Sequence, residues 1–171
     1  MMKYALPITG VRANFDCNGQ QSIVDAHNVL KSQIAMGTYA AKGIQKPPAS
    51  DMLKVSWDNN LESTAQEYDE TCPTDRSGIK DKNGWASNNF TSDLFNTDIG
   101  HATQMVWATS SLVGCGVKAC FDENKYMNET VVYKQYKPQG NVDNENIYTM
   151  GDTCSSCPSG TSCELSTGLC A

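Results

Sequence analysis

No apolar run in this sequence approaches the roughly 20 residues that a membrane-spanning helix needs, which excludes a transmembrane span. Positive charge is also in deficit. Thirteen Lys and Arg stand against 19 Asp and Glu, a formal net charge of −6. A chain with that balance lacks the basic footprint of a general nucleic-acid binder. No segment repeats, and the composition is not that of a disordered tail, because 39% hydrophobic and 19% charged residues are ordinary for a globular domain. At 171 residues the chain is one domain, or one domain with a small appendage, and is long enough to bury a real core.

What the sequence has in quantity is cysteine, eight in all. Cys17, Cys72, Cys115 and Cys120 are spread over the body, while Cys154, Cys157, Cys163 and Cys170 crowd the C-terminus. An even count points to disulfides and hence to an oxidising compartment. The tail leaves a second reading open, because Cys154 and Cys157 have the C-x2-C spacing that grips a tetrahedral zinc ion. A thioredoxin-type redox pair is disfavoured, since no βαβ pattern surrounds that spacing. At the N-terminus, Lys3, the apolar stretch Ala5 to Val11 and the small residue Ala13 read as a short signal peptide over residues 1–13. Two glycosylation sequons follow, Asn89-Phe90-Thr91 and Asn128-Glu129-Thr130. Together these features place the protein outside the cell.

Periodicity predicts a helix from about Gln20 to Met36, capped by Ser22 and ended by Gly37, and a second from about Asn60 to Thr71. Met52 to Trp57 reads as a short strand or an extended lead-in. Cys72 to Asp98 is polar and turn-rich, a loop. Ile99 to Trp107 reads as a helix, and Val113 to Phe121 and Thr130 to Tyr136 as two strands joined by a polar turn. From Asp152 onward the sequence shows no apolar face, so disulfide bridges must hold that piece. Helices covering a small antiparallel sheet are the expected α+β solution.

Several motifs stand at characteristic spacing. Gly100-His101-Ala102-Thr103-Gln104-Met105-Val106-Trp107 is followed by Gly114-Cys115-Gly116, and later by Tyr136-Lys137-Pro138-Gln139-Gly140-Asn141. Upstream lie Ala26-His27-Asn28, Ala35-Met36-Gly37, and Trp57-Asp58 with Leu61-Glu62 and Ala65. Taken together the chain resembles the CAP superfamily of cysteine-rich secretory, antigen 5 and pathogenesis-related proteins. Its tail, from Tyr148 through Gly151 to Cys170, is similar to the hinge of nematode activation-associated secreted proteins. The resemblance implies a three-layer α-β-α sandwich over residues 14–151, with a Cys-rich hinge-like tail at 152–171.

The departures from that family bear on function. Many members have a cavity in which two His and two Glu hold a divalent cation. His101 matches one of those His, but Arg76 stands where the other belongs. The Gly-Glu-Asn triplet that carries one Glu is missing, and Trp85 alone remains of a Trp-Trp pair near the other. The chain is internally shortened between about residues 78 and 88. Asn59 and Lys134 stand where the family usually has Cys. One imidazole does not make a zinc site, which wants three or four ligands, and a guanidinium opposes a cation. We therefore expect no metal, no cofactor and no catalytic residue. His101 reads as a packing residue and His27 as structural, and neither Ser77 nor Ser110 has a recognisable base. The resemblance then implies a secreted non-enzymatic binding protein of nematode type, acting in host interaction or immunomodulation on a host protein or cell-surface receptor. Two alternatives stay open: carriage of a lipid or sterol, and integrin antagonism through Met150-Gly151-Asp152.

Overall fold

The structure, a computed structural model, describes residues 17–41, 43–72, 88–92, 99–122 and 126–171. The leader at 1–13, Arg76, Ser77, Trp85 and most of the shortened stretch at 78–88 lie outside the described residues. The helical spacing of Ile23, Leu30 and Ile34 becomes α1, Cys17–Ala35. It begins earlier than the sequence suggests. Ser22 sits inside the helix, where its hydroxyl donates to the Asn18 carbonyl at 2.8 Å and caps nothing. The C-terminal end is as expected, at Gly37 with φ +65°, a left-handed turn that glycine adopts without strain. A small antiparallel ribbon follows, β1 Ala40–Ala41 and β2 Ile44–Gln45.

The central sheet is β3–β4–β5, with β3 Ser56–Trp57, β4 Leu112–Asp122 and β5 Met127–Lys137. β3 runs parallel to β4, and β4 and β5 form an eleven-residue antiparallel hairpin. Both hairpin strands are longer at their outer ends than alternation alone predicts. Helix α2, Asn59–Asp69, lies on one face of the hairpin. Asp58 caps it, its carboxylate accepting from the Leu61 N–H at 2.8 Å. On the opposite face Ile23 and Val24 of α1 pack with Val55, Val113, Cys115 and Tyr136. A short helix, α3 Gly100–Met105, completes the layers. This is the three-layer α-β-α sandwich. No helix among the described residues is long and apolar enough to cross a membrane.

The Gly-Cys-Gly of β4 has a direct geometric reason. Alternate strand residues face opposite sides. Gly114 and Gly116 face α2, where an added Cβ would meet the Glu62 nitrogen at 2.2 Å and the Ala65 oxygen at 2.5 Å. Cys115 points the other way and is fully buried.

Three disulfides are formed among the described residues: Cys72–Cys120, Cys154–Cys163 and Cys157–Cys170. Cys115 is free, which corrects the expectation that it is bridged. Its cross-strand partner is Lys134, so no second sulfur stands opposite it, and Cys120 is committed to Cys72. The side chain of Cys17 lies outside the described residues.

The tail is not held by bridges alone. β6, Cys163–Glu164, pairs with β7, Leu169–Cys170, and Leu169 is wholly buried in the core with Ile34, Met52 and Tyr148. Cys170 accepts from the Lys54 N–H and donates to the Met52 carbonyl, and Lys54 pairs with Glu164 at 2.9 Å. Two leucines among Ser, Thr and Gly, Leu165 exposed and Leu169 buried, show no period, so the sequence hides this docking.

Candidate functional site

The two longest motifs meet in space. Gln104, on α3, accepts from the Gly140 N–H at 2.9 Å and donates to the Ser110 hydroxyl at 2.9 Å. Ser110 in turn donates to the Pro138 carbonyl at 2.8 Å. The Thr103 hydroxyl donates to the Asn141 side-chain oxygen at 2.6 Å, and the Asn141 amide donates to the Gly100 carbonyl at 2.7 Å. Trp107 packs closely against Gly140, where a Cβ would fall 2.5 Å from its ring. Its other contact is edge-on with Phe90, at 5.9 Å between centroids. Lys137-Pro138 is a cis peptide bond in the loop that makes this approach. The result is a clasp that joins α3 to the end of β5, and the side chains of Thr103, Gln104 and Asn141 are spent on closing it.

Lys31 supports the clasp from α1. It is fully buried, and its ammonium donates to the carbonyls of Ser110 at 2.7 Å, Trp107 at 2.8 Å and Ala108 at 3.5 Å. Burial pulls its pKa down to about 7, with Asp51 acting in the opposite direction. Three carbonyl acceptors suit the three donors of the charged form. Nothing in the sequence marks Lys31, because an isolated lysine on an amphipathic helix reads as solvent-exposed.

His27 is buried and structural, as expected. The Ile23 carbonyl can only accept, so Nδ1 holds the proton at 2.7 Å, and the Tyr136 hydroxyl donates to Nε2 at 2.9 Å. Burial lowers the imidazole pKa. The Ile23 carbonyl works against that shift, and Lys134 and Lys31 add to it. Asn28 completes the motif by gripping both backbone groups of Val55. His101 differs from expectation. It lies on α3 with an exposed side chain and is not packed in the interior.

The buried thiol of Cys115 is pushed up to about 12 by desolvation, so it is no nucleophile at neutral pH. The Ser110 hydroxyl is buried and held at both ends, by the Gln104 amide and the Pro138 carbonyl. Both ring nitrogens of His27 are engaged, by the Ile23 carbonyl and the Tyr136 hydroxyl. Among the described residues, the one convergent group of possible ligands is Cys154, Cys157 and Cys170, with sulfurs within 4.8 Å of one another. All three are in disulfides and have no thiolate to offer, so the tail zinc reading gives way to bridges. The donor set does not fit a zinc site. A pocket of about 380 Å³ opens beside the clasp, bordered by Asp51, Thr109, Gln139, Glu145 and Asn146 with the buried Trp107 and Tyr148 behind. Asp51 there accepts from the Thr149 N–H at 3.0 Å.

Two measurements check this reading. Gln104→Ala removes the partner of the buried Gly140 N–H, and should cost about 1–3 kcal/mol by urea denaturation, while Gln139→Ala, at an exposed neighbour, should cost less. Equal losses would contradict the clasp. For His27 the folded pKa lies below the unfolded value near 6.5, so the unfolded chain takes up a proton that the folded chain refuses. Stability should therefore fall as pH drops from about 7 to about 5.5, and His27→Gln should flatten that slope. Parallel slopes in the two proteins would count against the assignment.

A sandwich of this topology, with a Gly-Cys-Gly strand under α2 and a clasp at the end of β5, defines the class of the protein. The profile of the Cysteine-rich secretory protein family, CAP, matches residues 82–136. Cysteine-rich secretory protein 2 of Cavia porcellus is 31% identical over 186 residues, covering 88% of this chain and 68% of that protein. The chain belongs to the CAP family. Ancylostoma secreted protein of Ancylostoma caninum is also 31% identical, over 191 residues covering 89% of this chain and 44% of its own length. The crystal structure of NaASP2 with Zn2+ superimposes with a TM-score of 0.77 at 26% identity, covering 94% of this chain and 99% of that one. These likenesses make it a CAP protein of nematode type. The chain spans less than half the length of several curated relatives, the Ancylostoma protein among them. Its alignment with that protein is longer than the whole 171-residue chain, so the relative carries residues with no counterpart here.

Proposed function

We propose that the protein is a secreted, non-enzymatic CAP-domain binding protein that acts by recognition of a host protein or cell-surface receptor. One observation carries this reading: six polar side chains in and beside the family motifs are consumed inside the scaffold. Gln104, Thr103, Ser110, Asn141, His27 and Asn28 all bond within the fold. None is left to act on a substrate. What the scaffold offers outward is its loops, stiffened by disulfides and the docked tail. The test is binding of fluorescently labelled protein to vertebrate leukocytes. Saturable binding that unlabelled protein displaces supports recognition, and binding that rises linearly without competition contradicts it.

The lipid-carrier alternative draws no support from the pocket beside the clasp, whose rim is polar. Fatty acid or sterol co-purifying at a one-to-one ratio by mass spectrometry would revive it. The integrin alternative has one observation in its favour. Met150 is 56% exposed and Asp152 is exposed, on a segment tied down by the Ala49–Met150 bridge and the Gly151 N–H bond to the Pro48 carbonyl. An adhesion assay in which Asp152→Ala behaves as wild type would dismiss it.

A further inference from the structure

The hairpin has one face that is only half covered. Residues paired across an antiparallel ladder share a face. Val113, Cys115, Val117, Ala119 and Phe121 of β4 therefore lie beside Tyr136, Lys134, Val132, Thr130 and Asn128 of β5. α1 covers the inner end, where Val113 and Cys115 are buried. The outer end is open: Phe121 is 58% exposed, Val132 48%, and Ala119, Thr130 and Asn128 are exposed as well. It is an apolar surface with two polar residues on it, and those two are the acceptor and hydroxyl residues of a sequon. Asn128 stands directly across from Phe121. Asn128 and Thr130 project to the same side because strand residues two apart do so, while Glu129 between them projects to the α2 face.

We propose that Asn128 carries an N-linked glycan whose first sugar lies across the Phe121 ring and covers the open end of the sheet. In the modification, the Asn128 amide nitrogen displaces pyrophosphate from the anomeric carbon of a lipid-linked oligosaccharide. A C–N bond forms, the C–O bond to pyrophosphate breaks, and the amide gives up one proton. The apolar C–H face of a pyranose suits an exposed aromatic face, and the pairing removes from water a patch that otherwise invites association. β5 pairs only with β4 among the described residues, so a glycan there also shields an edge strand. Asn89 provides the internal comparison. Its amide already donates to the Asn144 carbonyl at 3.1 Å, and the aromatic beside it, Phe90, is 3% exposed and has no free face.

The proposal rests on the secretory reading, and the test separates the two by supplying a heterologous leader in a eukaryotic host. The secreted wild type is compared with Asn128→Gln, Thr130→Ala, Phe121→Leu and the double variant Phe121→Leu/Asn128→Gln. Intact mass should fall by one glycan in Asn128→Gln and in Thr130→Ala. Phe121→Leu, which stays apolar but loses the ring, should lower the melting temperature by roughly 2–4 °C when the glycan is present, and by much less in the Asn128→Gln background. Thr130→Ala, which keeps Asn128, should reproduce the stability of Asn128→Gln. Absence of a glycan at Asn128 would overturn the proposal, as would an equal effect of Phe121→Leu in both backgrounds. Failure of export with the native leader alone would bear only on the secretory reading.

Discussion

Gly116→Ala should destabilise the protein by about 3 kcal/mol or more, near or beyond the upper end of ordinary overpacking. The new methyl would stand 2.5 Å from the Ala65 carbonyl oxygen and 2.6 Å from its carbon, both backbone atoms of α2. A flexible side chain can swing aside, but a helix backbone moves only as a body. α2 would have to lift from β4, and with it would go the Gln66 contacts to both backbone groups of Val117. Gly114→Ala should be at least as severe, since its methyl would meet the Glu62 nitrogen at 2.2 Å. Gly151→Ala is the control: its nearest neighbour is the Ser50 side chain at 3.2 Å, and its cost should stay below about 1 kcal/mol. Urea denaturation of the three variants gives the comparison. A Gly116→Ala protein as stable as Gly151→Ala would show that α2 is not seated on the strand as described.

The second large effect concerns Cys72–Cys120. This bridge joins residues 48 apart and fastens the chain just beyond α2 to the outer part of β4. Loop-closure entropy alone assigns it about 4 kcal/mol, somewhat more than the tail bridges, whose separations are 9 and 13. The double variant Cys72→Ala/Cys120→Ala should therefore lose about 2–4 kcal/mol in the denaturation midpoint analysis, with the outer hairpin the first region to open in hydrogen exchange. Loss of less than about 1 kcal/mol would mean that the described pairing is not what holds that end. Cys115→Ala breaks no bridge, and in the same assay it should cost only what deleting a buried sulfur costs.

The parts of the fold that were legible in the sequence are those written as local pattern. α1 and α2 follow from apolar spacing, Gly37 from its place after that spacing, and the hairpin from two Val- and Tyr-rich runs. Their ends were less so, because Ser22 has a capping side chain but sits one turn inside the helix. The family motifs announced the sandwich, yet gave no hint that they bond to one another, since Gln104 and Gly140 are far apart in the chain and their contact is made by folding. Lys31 was invisible for a different reason: burial of a lysine depends on three carbonyls that only the tertiary structure brings together. Cysteine arithmetic counted eight and expected all to pair. Parity cannot see that Cys115 faces Lys134 across the hairpin.

The central claim is that the family motifs here bond to one another to build a scaffold, and we expect no cation site among them. Calorimetric titration of the purified protein with zinc chloride tests it most directly. The account predicts no stoichiometric heat in the micromolar range, because both ring nitrogens of His27 bond within the fold, Cys154, Cys157 and Cys170 are in disulfides, and a zinc site needs three or four ligands. One-to-one binding at micromolar affinity, abolished by His101→Ala, would contradict it.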